Sequence, residues 1–368
     1  MCTPLSSELT SSPSASGPLA AYGWDASLDA AFADHRAAGL LPCRVTGVDR
    51  GRCDIVTEHG PARAVSTPVT SPDPARTVCA GDWGVLRPRS GELPVLEALL
   101  PRRSAIVRST ASARSEGQVL AANVDTVAVV EPLTGPVDLA RVERLLALAW
   151  ESGAVPVVVL TKADRHPAPD SAVAEVAAVA PGAGVVAVSA VTGDGLDALT
   201  ALLTGTVALL GPSGAGKSTL GNALLGADVM ATGEVRARDG RGRHTTVRRQ
   251  LLPLGGGRVL IDTPGLRGVG LWDAAEGLQR AFPEIGELAE ECRFHDCSHT
   301  SEPGCAVLAA VADGTLPQRR LDSYHKLVRE NEWIAARSDA RLRAEIRRGH
   351  REISRSLRQS YRLRGRKE

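Results

Sequence analysis

Gly211-Pro212-Ser213-Gly214-Ala215-Gly216-Lys217-Ser218-Thr219 follows the apolar run Thr206–Leu210 and precedes Leu220–Leu225, which has helical character. Strand, glycine-rich loop and helix, in that order, are the context a phosphate-binding loop needs. Glycines let successive backbone N–H groups turn inward around phosphate oxygens, and the helix N-terminus adds partial positive charge. In this pattern Lys217 reaches the β/γ-phosphates and the Ser218 hydroxyl ligates Mg²⁺. The stretch therefore predicts a P-loop nucleotide-binding domain built on a sheet.

Working outward, Val259–Ile261 ends in Asp262-Thr263-Pro264-Gly265. This places a carboxylate at a strand tip, where it can hold Mg²⁺ through water, and then a glycine whose N–H can sense a γ-phosphate. Upstream, the run Val155–Leu160 enters Thr161-Lys162-Ala163-Asp164, which has the form of a guanine-reading [N/T]KxD element. A carboxylate there accepts both the N1–H and the N2–H₂ of guanine; adenine lacks both donors and would leave the charge unpaired. Guanine is the expected base. Thr161 stands where asparagine is usual, and a hydroxyl makes fewer bonds than a carboxamide. A further run, Val185–Val188, leads to Ser189-Ala190, the position of a backbone contact to the guanine carbonyl. Two of the chain's four lysines, Lys162 and Lys217, fall in these motifs, as expected where a guanidinium fork would not fit.

The base-reading pair thus precedes the phosphate pair, the reverse of ordinary GTPases. One pocket can still form if each loop leaves the carboxyl edge of its strand, so the order predicts a circularly permuted GTPase. From Val124 onward, strand-like runs alternate with helical stretches such as Asp138–Trp150, with Leu139, Val142, Leu145, Leu146 and Ala149 on one face. That alternation implies a largely parallel α/β sheet covered on both sides. Before it, Arg44–Val48, Cys53–Thr57, Ala62–Ser66 and Trp83–Arg87 read as short strands of a small antiparallel barrel or sandwich.

The 368 residues are 43% hydrophobic and 23% charged, enough for two or three cored domains and unlike a disordered chain. No apolar run approaches the roughly 18–20 residues of a membrane span. No Lys or Arg precedes Arg36, so no signal peptide is expected, and the Ser/Pro/Ala-rich N-terminus reads as a flexible leader. Seven cysteines suit a reduced, cytoplasmic protein better than a disulfide framework. Three of them form Cys292-x₄-Cys297-x-His299-x₅-Cys305, three thiolates and an imidazole suited to one structural Zn²⁺ with no open position; His295 is a fifth candidate. Arg337–Lys367 carries twelve basic and three acidic side chains, leaving the rest of a +1 chain at −8. Arg337, Arg341, Arg348, Arg351, Arg355, Arg358 and Arg362 recur at helical steps and would line part of one face, a surface for RNA phosphates.

The permuted order, Gly242-Arg243-His244-Thr245-Thr246 between the phosphate elements, Gln118–Asp125 before the first strand, and the Cys/His knuckle together resemble the bacterial ribosome-small-subunit-dependent GTPase A family. The resemblance covers roughly residues 40–335. It implies an N-terminal OB barrel, a permuted GTPase and a helical zinc domain, acting in late maturation of the small ribosomal subunit, which stimulates GTP hydrolysis to GDP. On this reading residues 1–38 are the leader, 39–112 the barrel, 113–272 the GTPase, 273–335 the zinc domain and 336–368 an Arg-rich helical tail. The resemblance also implies that Gly242–Thr246 is the first switch, with Thr246 or Thr245 completing the Mg²⁺ shell. Leu266 follows the Gly265 position where a glutamine usually orients the attacking water, and an aliphatic side chain cannot do so. His244 is the expected catalytic residue, with Arg243 second. Small-subunit rRNA is the expected partner, no membrane contact is expected, and the protein is expected to be a monomer. A competing reading is a zinc-containing RNA-binding module that uses guanine nucleotide only as a regulatory switch.

Overall fold

The computed structural model describes residues 17–49, 51–71, 73, 76–109, 117–230, 250–262 and 274–338. Three short helices, α1 (Pro18–Ala21), α2 (Ala26–Ala31) and α3 (Ala33–Ala37), lead into β1 (Leu41–Asp49), β2 (Arg52–Thr57), β3 (Gly60–Val65), β4 (Trp83–Arg87) and β5 (Val95–Leu99). These five strands close into a barrel in the order β1-β2-β3-β5-β4. Closure is made by one parallel pair, Val65 with Val95. Cys43, Val45, Cys53, Ile55, Ala64 and Leu96 alternate inward along the strands and fill it.

The leader expected over residues 1–38 needs correction, because the chain is helical from Pro18. Leu19, Leu28 and Phe32 are buried against Val56, Trp83 and Val85 on the barrel, and the Asp25 side chain caps α2 by accepting from the Leu28 N–H at 2.9 Å. Polar composition hid three apolar residues that find their partners in distant strands.

A hairpin of β6 (Ala105–Ser109) and β7 (Gly117–Ala122) joins the barrel to the main sheet. That sheet contains β8 (Thr126–Pro132), β9 (Val155–Thr161), β10 (Gly184–Val188), β11 (Thr206–Leu210), β12 (Gln250–Gly255) and β13 (Arg258–Asp262), in the order β10-β9-β8-β11-β13-β12. All neighbours are parallel except β12, an antiparallel edge strand. Alternation sorts the central strands onto two cores. Val127, Val129, Val158, Leu160, Ala208 and Leu210 face one side; Ala128, Val130, Val157, Val159 and Leu209 face the other. Each Val or Leu among them contributes about 1.5–3 kcal/mol on burial, so the sheet is held firmly between its two cores.

The covering helices are α4 (Leu139–Glu151), α5 (Pro169–Ala177), α6 (Leu196–Leu202) and α7 (Lys217–Leu225). As expected from its apolar face, α4 buries Val142, Leu145, Leu146 and Ala149, and Asp138 caps it by accepting from the Arg141 N–H at 3.0 Å. The C-terminal part consists of α8 (Ala275–Ala281), α9 (Pro283–Ala289), α10 (Ala306–Ala312) and the long α11 (Gln318–Ser338). It is packed on α4: a Cβ at Gly277 would lie 2.1 Å from the Ala147 carbonyl oxygen, so only glycine permits this approach. Among the described residues, no helix is long and apolar enough to cross a membrane.

Candidate functional site

Four of the sheet's parallel strands end in predicted site residues, all at its carboxyl edge. β9 runs into Thr161–Asp164, β10 into Ser189-Ala190, β11 into the loop at Gly211, and β13 ends at Asp262. In register, Ala208 of β11 lies beside Ile261 of β13, which sets the Asp262 backbone just below the phosphate loop. This is where open α/β sheets bind ligands.

The phosphate loop folds as its sequence requires. Gly211 crosses β8 so closely that a Cβ there would meet the Val130 carbonyl oxygen at 2.1 Å. Lys217 begins α7 after Gly216, and its Nζ donates to the carbonyls of Gly211 at 2.8 Å and Pro212 at 2.7 Å. The cation is thereby held against the start of the loop. Ser218 is half-buried in the first helical turn; Thr219, Ser213 and Gly214 are exposed, Pro212 and Gly216 are half-buried, and Ala215 is buried.

The base-reading loop is pinned directly onto that loop. Lys162, in a left-handed conformation with φ 61°, donates from Nζ to the Gly214 carbonyl at 2.7 Å. Thr161 is buried, and its hydroxyl donates to the Ala215 carbonyl at 2.5 Å. Thr161 therefore braces one loop on the other. The Ser189 hydroxyl donates to Asp164 Oδ1 at 2.7 Å and accepts from the N–H groups of Val191 and Thr192 at 3.3 and 3.2 Å. That leaves the Asp164 carboxylate aligned by Ser189, with Arg165 Nε 3.9 Å from its second oxygen. Ala190 is half-buried beside it, and Ala163 packs at the edge of the core. The sequence had suggested only a backbone contact for Ser189; its orienting bond to Asp164 joins residues 25 positions apart and is invisible along the chain.

His244, Thr246 and Gly265 lie outside the described residues, as does Leu266. Preceding that region, Asn222 of α7 holds the turn at Val229 and Met230: its Oδ1 accepts from the Met230 N–H at 2.7 Å and its Nδ2 donates to the Met230 carbonyl at 2.9 Å. No motif had marked Asn222.

A second site lies between α9 and α10. The ligand atoms of Cys292, Cys297, His299 and Cys305 all lie within 4.8 Å of one another. Sγ of Cys292 and Cys305 are 3.8 Å apart, and His299 Nδ1 lies 3.6 and 3.4 Å from them. A tetrahedral Zn²⁺ with ordinary bond lengths has edges of about 3.8 Å for S–S and about 3.6 Å for S–N. The donor set and its spacing fit that ion. Desolvation disfavours the Cys292 thiolate, but the backbone N–H groups of Ala306 and Val307, with the Cys305 thiol, outweigh it and hold its pKa below the usual thiol value. Glu302, also unanticipated, ties the intervening loop by accepting from the N–H groups of Ser298, Thr300 and Ser301 at 2.9–3.0 Å. His295 is exposed and stands outside the cluster.

The architecture has known counterparts. The crystal structure of YjeQ from Thermotoga maritima superposes with a TM-score of 0.58 over 79% of this chain and 98% of that one, at 26% identity. YloQ, described as a circularly permuted GTPase, shares the fold with a TM-score of 0.57 over 79% and 94% of the two chains, at 22% identity. Residues 99–272 match the model of the RsgA GTPase family. The small ribosomal subunit biogenesis GTPase RsgA of Streptomyces avermitilis is 60% identical over 348 residues, 94% of each chain. This chain belongs to the RsgA GTPase family. Its Streptomyces coelicolor counterpart is 59% identical over 92% of this chain and 93% of that one. Membership makes the chain a circularly permuted GTP hydrolase of the ribosome-biogenesis family, with an N-terminal barrel and a C-terminal helical region bearing a potential metal cluster. The switch-only reading is thereby set aside.

Proposed function

We propose that this protein docks as a monomer on the small ribosomal subunit during its late maturation in the cytoplasm, and that subunit-stimulated GTP hydrolysis times its release. The observation that supports this best is the contact of Thr161 and Lys162 with the Ala215 and Gly214 carbonyls, which joins a base reader and a phosphate cradle from reversed sequence order. The Streptomyces relatives carry small-subunit biogenesis in their names.

In this reading Asp164 pairs with guanine, Ser189 keeps it aimed, and Lys217 with the backbone of 211–219 holds the phosphates. Ser218, Asp262 and Thr246 would hold Mg²⁺, which would supply positive charge to offset that of the phosphates. With the subunit bound, His244 orients the attacking water in place of the glutamine that Leu266 replaces. Cys292, Cys297, His299 and Cys305 would hold a structural Zn²⁺ that stiffens a short segment lacking its own core. The barrel and the Arg-rich tail would contact rRNA, chiefly through charge and shape.

Sedimentation of the protein with purified small and large subunits, in GDP and in a non-hydrolysable GTP analogue, tests the proposal. Co-migration with small subunits in the analogue, and faster phosphate release in their presence, is the expected result. Equal binding to both subunits, or none to either, would refute it.

A further inference from the structure

Arg44, on β1 of the barrel, is 1% exposed, and its guanidinium lies over the Trp83 ring at 4.7 Å from the centroid. Removing a guanidinium from water is costly, so its position depends on what receives its N–H groups. They reach four separated parts of the chain. Nη1 donates to the Tyr22 carbonyl in the N-terminal helices, and Nε to Gly81 at 3.4 Å in the barrel. Nη2 donates to the Asn123 carbonyl at 3.4 Å, just before β8, and to Thr206 Oγ1 at 2.7 Å. Burial lowers the Arg44 pKa to about 10, opposed by the charges of Asp125 and Asp82, so the side chain stays protonated at neutral pH.

Thr206 is the first residue of β11, and five residues later the same strand becomes the phosphate loop. Asp125 holds Thr206 from the other side: its Oδ2 accepts from the Thr206 N–H at 2.6 Å, and its own N–H donates to the Thr206 carbonyl at 2.8 Å. Every residue of β11 is buried, and it lies between β8 and β13. Such a strand, about 17 Å long, moves as a unit because its close-packed surroundings leave no room to bend.

We propose that Arg44 is a positioning residue that locks the seating of the barrel to the base of the phosphate-loop strand, so that nucleotide state and barrel state are coupled. By linkage the coupling runs both ways: triphosphate alters the barrel, and a ligand on the barrel alters the nucleotide pocket. The first direction is a property of the chain alone. The second rests on the reading above, in which the ligand on the barrel is small-subunit RNA.

The test is hydrogen exchange on the full-length protein in GDP and in a non-hydrolysable GTP analogue, for wild type, Thr206→Val, Thr206→Ser and Arg44→Lys. Small-subunit sedimentation follows on the same samples. Thr206→Val removes the acceptor while keeping the branched shape, and Thr206→Ser restores it. In Arg44→Lys, three N–H groups on one nitrogen cannot span the Tyr22 carbonyl and the Thr206 hydroxyl together. Wild type is expected to show at least about a threefold difference in β1 exchange between the two nucleotides. Thr206→Val and Arg44→Lys should lose that difference while nucleotide affinity stays within about twofold, and Thr206→Ser should keep it. A merely structural role would lower stability without erasing the nucleotide dependence. No difference in wild type, or its retention in either variant that folds, overturns the inference. If the difference behaves as expected but no form co-sediments with small subunits, the coupling stands and the proposed function fails.

Discussion

Replacing Arg320 by methionine should loosen the C-terminal helices from the GTPase sheet without touching the nucleotide site. Arg320 is 3% exposed at the start of α11. It donates to Glu284 Oε1 at 2.5 Å, Glu143 Oε1 at 2.9 Å and the Ala281 carbonyl at 2.6 Å, and it stacks over Phe282 at 4.2 Å. Glu143 belongs to α4, is 0% exposed, and has an Oε2 with no hydrogen-bond partner among the described residues. Its other cation is Arg319, at 2.9 Å and 42% exposed. Breaking a buried ion pair from one side costs about 3–5 kcal/mol, because the remaining charge is left uncompensated. Arg319, being solvent-screened, retains up to about 1 kcal/mol of that, leaving about 2–4 kcal/mol. The chain has several cores and need not unfold in one step, so the measurement must be local. Native-state hydrogen exchange across α8 and α11 should accelerate roughly 30- to 1000-fold in Arg320→Met, with GDP affinity unchanged. Glu143→Leu alone should cost about 1–3 kcal/mol, since Arg320 keeps Glu284 and the carbonyls of Ala281 and, at 3.3 Å, Val179. The double variant should return to within about 1 kcal/mol of wild type, an apolar pair having replaced an ionic one. Exchange in Arg320→Met within a factor of about three of wild type, or a double variant as labile as that single one, would refute the reasoning.

Three further outcomes are expected. Thr161→Val removes the donor to the buried Ala215 carbonyl and should weaken GDP binding by about 1–2 kcal/mol, with Thr161→Ser close to wild type; an unchanged dissociation constant in a fluorescent-GDP titration would count against the brace. Asp164→Asn turns an acceptor of two guanine N–H groups into one that also donates, so GTP affinity should fall at least about 100-fold and xanthosine nucleotides should compete better than guanosine ones. A variant that still prefers GDP to its xanthosine analogue would overturn the base assignment. Cys297→Ser, or strong chelation, should release one equivalent of zinc and raise hydrogen exchange between α9 and α10 while leaving GDP binding intact; a wild-type protein that folds with no zinc would remove the metal from the account.

The parts of the fold legible in sequence were those whose signal is local. Val155–Leu160 and Thr206–Leu210 are uninterrupted apolar runs, and each is a central strand buried on both faces. By contrast β12, Gln250–Gly255, carries Pro253 and lies at the sheet edge, where strand patterning is weakest. β5 and the β6–β7 hairpin are short strands whose partners, not their own residues, make them strands. The site divides the same way. Motif spacing singled out Asp164, Lys217 and the Cys/His cluster, but the brace made by Thr161 was not legible, because the carbonyl that takes its hydroxyl is 54 residues away. The Arg44 and Thr206 side chains meet across 162 residues, and those of Glu143 and Arg320 across 177, so no window along the chain could have found them.

These long-range pairs also suggest what permutation accomplishes. The barrel enters the sheet through β8 and the helical region leaves it after β13, and β11 lies between those two strands. Each appended unit is fastened by a buried arginine, Arg44 to the base of β11 and Arg320 to α4. The two arginines use different partners. Arg44 donates to neutral acceptors, among them Thr206 on the strand that runs straight into the phosphate loop, whereas Arg320 donates to the carboxylates of Glu143 on α4 and Glu284 on α9. A neutral hydroxyl exchanged for another acceptor costs about 1 kcal/mol, small enough for nucleotide binding to offset; a buried ion pair costs several. The barrel seam is therefore the one suited to shift during a GTPase cycle, and the α4–α11 seam the one suited to stay closed and carry the metal knuckle as a fixed arm.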